Sequence, residues 1–268
     1  MSKQLLSEQS LSENIESIRN EIINDDDNNF KTYYNHQINY NENQPNIENK
    51  YGDDNLFESW ADNNIFLPIA TKLVDPLHNL SLTPNNITIL STIFTFLSIY
   101  FFHQDKRLHA SILYLFGYLL DCVDGKMARK YNMVSKYGMA LDLVSDNISN
   151  ITIVVYLINR FGLTNKFVLA IIFMSYMVSI SYGLNEAILS QKTTGNDNFL
   201  QRRESEVKTE KDYIFTLFLY ITKVSYRSYR LFFKEYDEEK IYKWLSILKH
   251  FGPGNYCLLL GIILLYIE

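Results

Sequence analysis

The sequence predicts an all-α fold: a polytopic integral-membrane bundle of five to six spanning helices. A surface helix stands ahead of the first span, and a disordered polar tail ahead of that. Three observations lead there. Long apolar runs recur after residue 85, and the first, Asn86 to His103, is long enough to cross about 27–30 Å of hydrocarbon. Polar residues are concentrated at one end. The first sixty residues hold twelve acids and four bases, which leaves 21 bases against 18 acids in the rest of the 268-residue chain. A mildly basic remainder suits Lys and Arg in the cytoplasmic loops of a membrane protein. Finally, the mean hydropathy of -0.11 averages a very polar head with very apolar segments, so it does not argue for a soluble protein.

The chain divides into an acidic, Asn-rich tail over residues 1–58 and a membrane domain over 59–268. The tail carries the run Asp25-Asp26-Asp27 and only a faint helical periodicity. Such a composition cannot bury enough apolar surface to offset chain entropy, so a disordered cytosolic tail is expected. The start MSKQLLSEQS has no apolar core of a cleavable signal. Two cysteines, Cys122 and Cys257, support neither a disulfide framework nor a Cys/His zinc site. The five histidines form no cluster at ligand spacing, and there is no basic nucleic-acid patch.

Trp60, Ile65, Phe66, Leu67, Ile69, Leu73 and Val74, mixed with Lys72 and Asp75, predict a short helix at the membrane surface, interrupted near Pro68 and Pro76. Thr83-Pro84-Asn85 opens the first span, with Thr83 or Ser81 as its cap. Gln104 to Arg107 is short enough only for a turn, and Leu108 to Leu120 returns to the cytosolic side. A third span runs from Ala140 to about Ile158 and is closed by Asn159-Arg160-Phe161-Gly162. A fourth covers Phe167 to about Ile188, with Ser175, Ser179, Ser181 and Gly183 suited to helix packing. Gln191 to Asp212 reads as a solvated loop. Tyr213 to Thr222 is too short to span alone, and it runs into a basic stripe of Lys223, Arg227, Arg230 and Lys234. Gly252 to Ile267 is a short final span.

The chemistry is concentrated in DCVDGKMARKYNMVSKYGMALDLVSD, residues 121–146. Asp121 and Asp124 stand three apart at the end of one apolar segment. Asp142 and Asp146 stand four apart at the start of the next. On helices each pair shares a face, and two antiparallel helices can bring all four carboxylates into one volume. Four carboxylates cannot all remain ionised there without cations between them. Oxygen ligands of this kind suit Mg²⁺, Mn²⁺ or Ca²⁺ rather than zinc. Lys126, Lys130 and Lys136 read as a solvated basic rim.

As a pattern the stretch is D-x2-D-G-x2-A-R-x8-G-x3-D-x3-D, met by Asp121, Asp124, Gly125, Ala128, Arg129, Gly138, Asp142 and Asp146. It resembles the signature of the CDP-alcohol phosphotransferases. The resemblance extends from about Ile65 and weakens after about Ser190. It implies a six-span fold, a CDP-alcohol donor, an alcohol acceptor, a homodimer, and Mg²⁺ or Mn²⁺ on Asp121, Asp124 and Asp142. Asp146 would share the second ion and act as general base. Gly125 lets a nucleotide approach the backbone, Gly138 permits close helix approach, and Arg129 offers a planar fork to phosphate. Ser135 matches a hydroxyl position near CDP in phosphatidylinositol synthases. Asn85 lies in T-P-N-x-I-T, which is similar to the start of the family's first membrane helix, and is a candidate nucleotide contact.

The run ARKYNMVSKYGMALDLVSD looks most like inositol- and serine-type synthases. Inositol-type enzymes usually follow the last aspartate with Arg, where this chain has Asn147. Choline/ethanolamine-type enzymes, which share the surface helix and the span start, place His and Cys where Leu143, Val144 and Ser145 stand here. The resemblance favours transfer from CDP-diacylglycerol, with inositol the first acceptor to test, and leaves as the alternative a choline/ethanolamine-type phosphotransferase with diacylglycerol as acceptor. Two other classes stay open: an ion or proton transporter using the aspartates as a relay, and an inactive membrane tether.

Overall fold

The computed structural model describes residues 58–210 and 212–267; the expectations for the acidic tail up to residue 57 lie outside the described residues. Regular structure among the described residues is helical throughout. A π-helical turn, Asp62–Phe66, leads into α1 (Leu67–Asn79). No interruption occurs at the two prolines. Pro68 lies in the first turn, where its missing N–H costs nothing, and Pro76 stands close to the helix end. Ala70 and Val74 of α1 are buried in a cluster with Ile87, Leu120, Val123 and Met127, while Trp60 and Ile69 stay exposed.

The first span is α2 (Pro84–His103). Thr83 is its cap rather than Ser81: the Thr83 hydroxyl accepts from the Asn86 amide at 3.3 Å. After a tight turn with Asp105 at φ 56, α3 (Arg107–Lys130) runs back along α2. Thr88 meets Asp124, Phe94 meets Phe116 and Phe101 meets His109, which makes the pair antiparallel. The two backbones approach closely at Gly117, where a Cβ would sit 3.1 Å from the Ser91 carbonyl oxygen.

Ser135 caps α4 (Lys136–Phe161), and Asn165 caps α5 (Lys166–Thr194). The sharp exits follow from Gly162 and Gly195, both at positive φ. Arg160 at the far end of α4 binds Asp105 in the α2–α3 turn, so α4 is antiparallel to α3. Asn150 of α4 bonds both Ser175 of α5 and Tyr256 of the last helix. In lipid, apolar side chains gain little by leaving the tails, so close packing and such interhelical hydrogen bonds hold the bundle, at about 0.6–2 kcal/mol per bond.

Among the described residues, four segments are long and apolar enough to cross a membrane: Pro84–His103, Lys136–Phe161, Lys166–Thr194 and Glu238–Tyr266. Length and composition thus pick out four of the five to six expected spans; α3 is not among them because it carries Asp121, Asp124, Lys126, Arg129 and Lys130 in its last turns. Those charges belong to the site end, and α3 still runs the length of α2.

The second half of the chain departs most from expectation. Gln191 to Asp212 is not simply a solvated loop. It contains α6 (Phe199–Glu206), with Arg202 and Arg203 buried. The doubtful segment forms one helix, α7 (Tyr213–Phe232), whose buried residues Phe215, Phe218, Thr222, Ser225 and Tyr229 define a single face. Its first half packs on Ala140 and Val144 of α4, and its second half on Leu184 of α5. It therefore crosses both helices near one end of the bundle. The final span starts earlier than Gly252. It is a broken helix, α8 (Glu238–Leu248) and α9 (Pro253–Tyr266), joined by the 3₁₀ turn Lys249–Phe251 and an extended Gly252.

Glu186 of α5 is the hub of this half. Arg202 and Arg203 reach its carboxylate at 2.5 and 2.9 Å, and Arg203 also binds Glu206 at 2.8 Å. Burial alone would lower the Arg203 pKa, but the carboxylates of Glu186 and Glu206 hold it well above its ordinary value. The Arg203 guanidinium also touches the Met139 sulfur, which links α6 to the start of α4. Removing one member leaves uncompensated charge in a dry interior. Glu186→Gln is expected to destabilise the folded protein by about 3–5 kcal/mol. Thermal unfolding in detergent checks this, and an unchanged melting temperature contradicts it.

Candidate active site

The C-terminal turns of α3 and the N-terminal turns of α4 face one another at one end of the bundle. Their antiparallel run places Asp121 opposite Asp142 and Asp146. One carboxylate oxygen from each of the three lies within 4.8 Å of the others. Asp121 and Asp142 are half-buried, and Asp146 is exposed. The i, i+4 spacing of Asp142 and Asp146 turns both toward α3, as their sequence separation requires.

Asp124 is placed differently. It is buried, and its Oδ2 accepts the Thr88 hydroxyl of α2 at 2.5 Å. It remains close enough to Asp142 and Asp121 for their charges to act on it. Three of the four signature carboxylates thus offer oxygens within 4.8 Å of one another, and the fourth is held by a hydroxyl donor beside them. The sequence did not single out Thr88. It stands at the end of the T-P-N-x-I-T string, one turn along α2 from Pro84.

Two glycines shape the surroundings. A Cβ on Gly138 would stand 2.9 Å from Asn85 Oδ1 and 3.0 Å from Ser135 Oγ, so only glycine lets α4 start this close to α2. Ser135 Oγ accepts the Gly138 amide at 3.0 Å as the helix cap, which leaves its hydroxyl proton free to serve another acceptor. Asn85, Ser135 and Gly138 therefore form one small polar corner at the head of α4. The Arg129 guanidinium folds back over Gly125, where a Cβ would meet it at 3.3 Å. Arg129, Gly125 and Asp121 all lie on the i, i+4 row of α3.

Of the three lysines expected as a solvated rim, only Lys130 is exposed. Lys126 and Lys136 are buried, since each projects from the inner side of its helix. Lys130 pairs with Asp75 of α1 at 2.7 Å, and Tyr131 donates to the same carboxylate at 2.8 Å while stacking on His78. The Lys130 and Tyr131 bonds hold the Asp75 carboxyl below the usual range. This clasp fixes α1 to the loop that joins the two aspartate-bearing helices. Arg202 and Arg203 face Glu186 and Glu206, and they hold α6 in place.

The donor set fits a hard divalent cation. The ligand atoms offered are carboxylate oxygens, the preferred partners of Mg²⁺, Mn²⁺ and Ca²⁺. Mg²⁺ at about 2.1 Å spaces opposed oxygens by about 4.2 Å, which is compatible with three oxygens lying within 4.8 Å of one another.

The chain is matched over residues 81–232 by the family model for CDP-alcohol phosphatidyltransferase. That is more than half of its length, and it includes α2 to α7. Among curated proteins it is 38% identical over 77 residues to archaetidylinositol phosphate synthase of Pyrococcus horikoshii, covering 29% of this chain and 41% of that protein. It is 39% identical over 80 residues to CDP-diacylglycerol–inositol 3-phosphatidyltransferase of Saccharomyces cerevisiae, covering 30% of this chain and 36% of that one. A probable CDP-diacylglycerol–inositol 3-phosphatidyltransferase 2 of Arabidopsis thaliana shares 47% identity over 47 residues, 18% of this chain and 21% of the plant protein. The alignments thus span less than half the length of each relative. With the family model matched from the start of α2 to the end of α7 and the signature carboxylates converging between α3 and α4, the chain belongs to the CDP-alcohol phosphatidyltransferase family.

Proposed function

We propose that this protein is a membrane phosphotransferase. It moves a substituted phosphate from a CDP-linked alcohol, CDP-diacylglycerol first among them, to an acceptor alcohol, and it releases CMP. The observation that carries this reading is the meeting of Asp121, Asp142 and Asp146 across two antiparallel helices, with Asp124 one turn away. Such a cluster has no structural advantage in an apolar bundle, where ionisable groups are costly.

Asp121, Asp124, Asp142 and Asp146 would hold Mg²⁺ or Mn²⁺, which supplies charge neutralisation to the pyrophosphate as its anhydride bond breaks. The remaining work belongs to the chain. Asp146, the exposed member of the trio, takes the proton from the acceptor hydroxyl. The acceptor oxygen then bonds to the phosphorus that bears the donor alcohol, the bond from that phosphorus to the bridging oxygen breaks, and CMP departs with the electron pair. Arg129 lies against Gly125 and presents a planar fork to a phosphate there. Ser135 and Asn85, at the polar corner beside Gly138, contact the nucleotide.

Inositol is the first acceptor in this reading. The yeast and plant relatives are named for transfer to that alcohol. We read the site and the acidic tail as cytosolic and the active unit as a homodimer, as the family implies.

CMP release by the purified protein with CDP-diacylglycerol and a panel of alcohols, with and without Mn²⁺, tests the reading. Turnover is expected with inositol and is expected to vanish on chelation. Ion flux in proteoliposomes with no CMP formed would instead make the protein a transporter. Asp146→Asn is expected to lower turnover by at least about a thousandfold while CDP-diacylglycerol still binds. Full activity in that variant removes the base assignment.

A further inference from the structure

The short segment ahead of α1 is buried where the final span breaks. Asp62 is 2% exposed and carries three strong neutral donors. Its Oδ1 accepts the Tyr118 hydroxyl at 2.7 Å; its Oδ2 accepts the Ser59 hydroxyl at 2.8 Å and the Gly254 amide at 3.0 Å. The Asn255 amide donates to Ser59 Oγ at 3.1 Å, and Asn255 Oδ1 accepts the Ala61 amide at 2.9 Å. The first amides of α9, which a helix leaves unsatisfied, are therefore capped by a distant part of the chain, Gly254 by the Asp62 carboxyl and Asn255 by the Ser59 hydroxyl. A Cβ on Gly254 would overlap the Asp62 carboxylate, so the contact requires glycine there.

The same carboxylate reaches the acidic site through one helix face. Ser111, Tyr114, Tyr118 and Asp121 follow one another on α3 at spacings of three, four and three, which places them in one row. Ser111 donates to the Gly261 carbonyl at 2.8 Å, Tyr114 to Cys257 Sγ at 3.3 Å, and Tyr118 to Asp62. The first two rungs bind α9 to α3 directly, and the third does so through Asp62 and its Gly254 bond, one turn short of Asp121. There Gly252 breaks the span, and α8 turns away onto α5, where Ile241 and Leu245 join the cluster of Leu184 and Ala187. Without the break, a straight final helix would continue up α3 and cover Asp121.

We propose that Asp62 is a positioning residue for the acidic centre. It caps the break in the final span and grips Tyr118, and so fixes the rotation of the α3 face that ends in Asp121 and keeps α8 off that carboxylate. The inference rests on the reading of Asp121 as a ligand to a divalent cation. Its reach is small in distance but large in effect, because a carboxylate trio holding a small cation tolerates only tenths of an ångström.

The test uses the full-length protein in nanodiscs and three variants: Asp62→Asn, Tyr118→Phe and Gly254→Ala. Mn²⁺ binding is read by electron paramagnetic resonance, independently of turnover, and CMP release is read against Mn²⁺ concentration. Each variant is expected to weaken Mn²⁺ binding by about tenfold, the size seen when a group supporting a metal ligand is removed. Its kcat at saturating Mn²⁺ and its KM for CDP-diacylglycerol are expected to stay near the wild-type values. Asp62→Asn combined with Tyr118→Phe is expected to be no worse than Asp62→Asn alone, since both cut one link. Tyr118→Phe keeps the Ser59 and Gly254 bonds, so it reports even if Asp62→Asn does not fold. Folded variants that bind Mn²⁺ as tightly as wild type overturn the positioning role and leave the function standing. Wild-type protein that binds no Mn²⁺ overturns the functional reading, and this inference with it.

Discussion

The constraint behind this structure is the expense of a carboxylate inside an apolar bundle. Each deeply placed acid outside the trio has its own donors. Glu186 has two arginines, Asp197 has Tyr229 and Arg230, Asp124 has Thr88, and Asp62 has two hydroxyls and an amide. Asp121, Asp142 and Asp146 are turned toward one another. Like charges at that spacing are mutually destabilising in a low dielectric, and folding alone gives no reason to collect them. The arrangement makes sense as a seat for positive charge, and the geometry of α2, α3 and α4 follows from making it. Close approach at Gly117 and Gly138, the cap at Ser135 and the clasp at Asp75 all serve to fix two helix ends.

Much of this was legible in the letters. The spacings of three and four put the aspartates on facing sides, and the apolar runs between them gave α2, α4 and α5 within a few residues. The turn at Asp105, the closure at Gly162 and the packing role of Gly183 followed from ordinary turn and small-residue chemistry. These features are local, or depend on one strong periodicity, so a single sequence contains them.

What was not legible depends on distant partners. Arg202 and Arg203 look like loop cations because nothing nearby in the chain pairs with them; their partner, Glu186, lies in the preceding span. Asp62 sits in a polar stretch and has no visible role until Gly254 and Tyr118 fold against it. The final span was read short because Gly252-Pro253 resembles a helix start, and it is one, but of the second half of a broken helix. The amphipathic segment Glu238–Leu248 hides its apolar face against α5, and only the fold supplies that surface. Thr88 is missed for a related reason: a threonine in a membrane helix usually bonds its own backbone, and this one also meets an aspartate 36 residues away.

The crossing of α7 over α4 and α5 makes the interior of the bundle modular. The buried clusters separate into one set around α1 to α3 and another around α5, α6, α7 and α8, with α4 and α9 between them. Repacking in the second set can alter the walls beside the head of α4 without disturbing the α2–α3 seam that orients Asp121 and Asp124. A change of side-chain volume among Leu184, Tyr229 and Ile241 is thus absorbed at a distance from the seam.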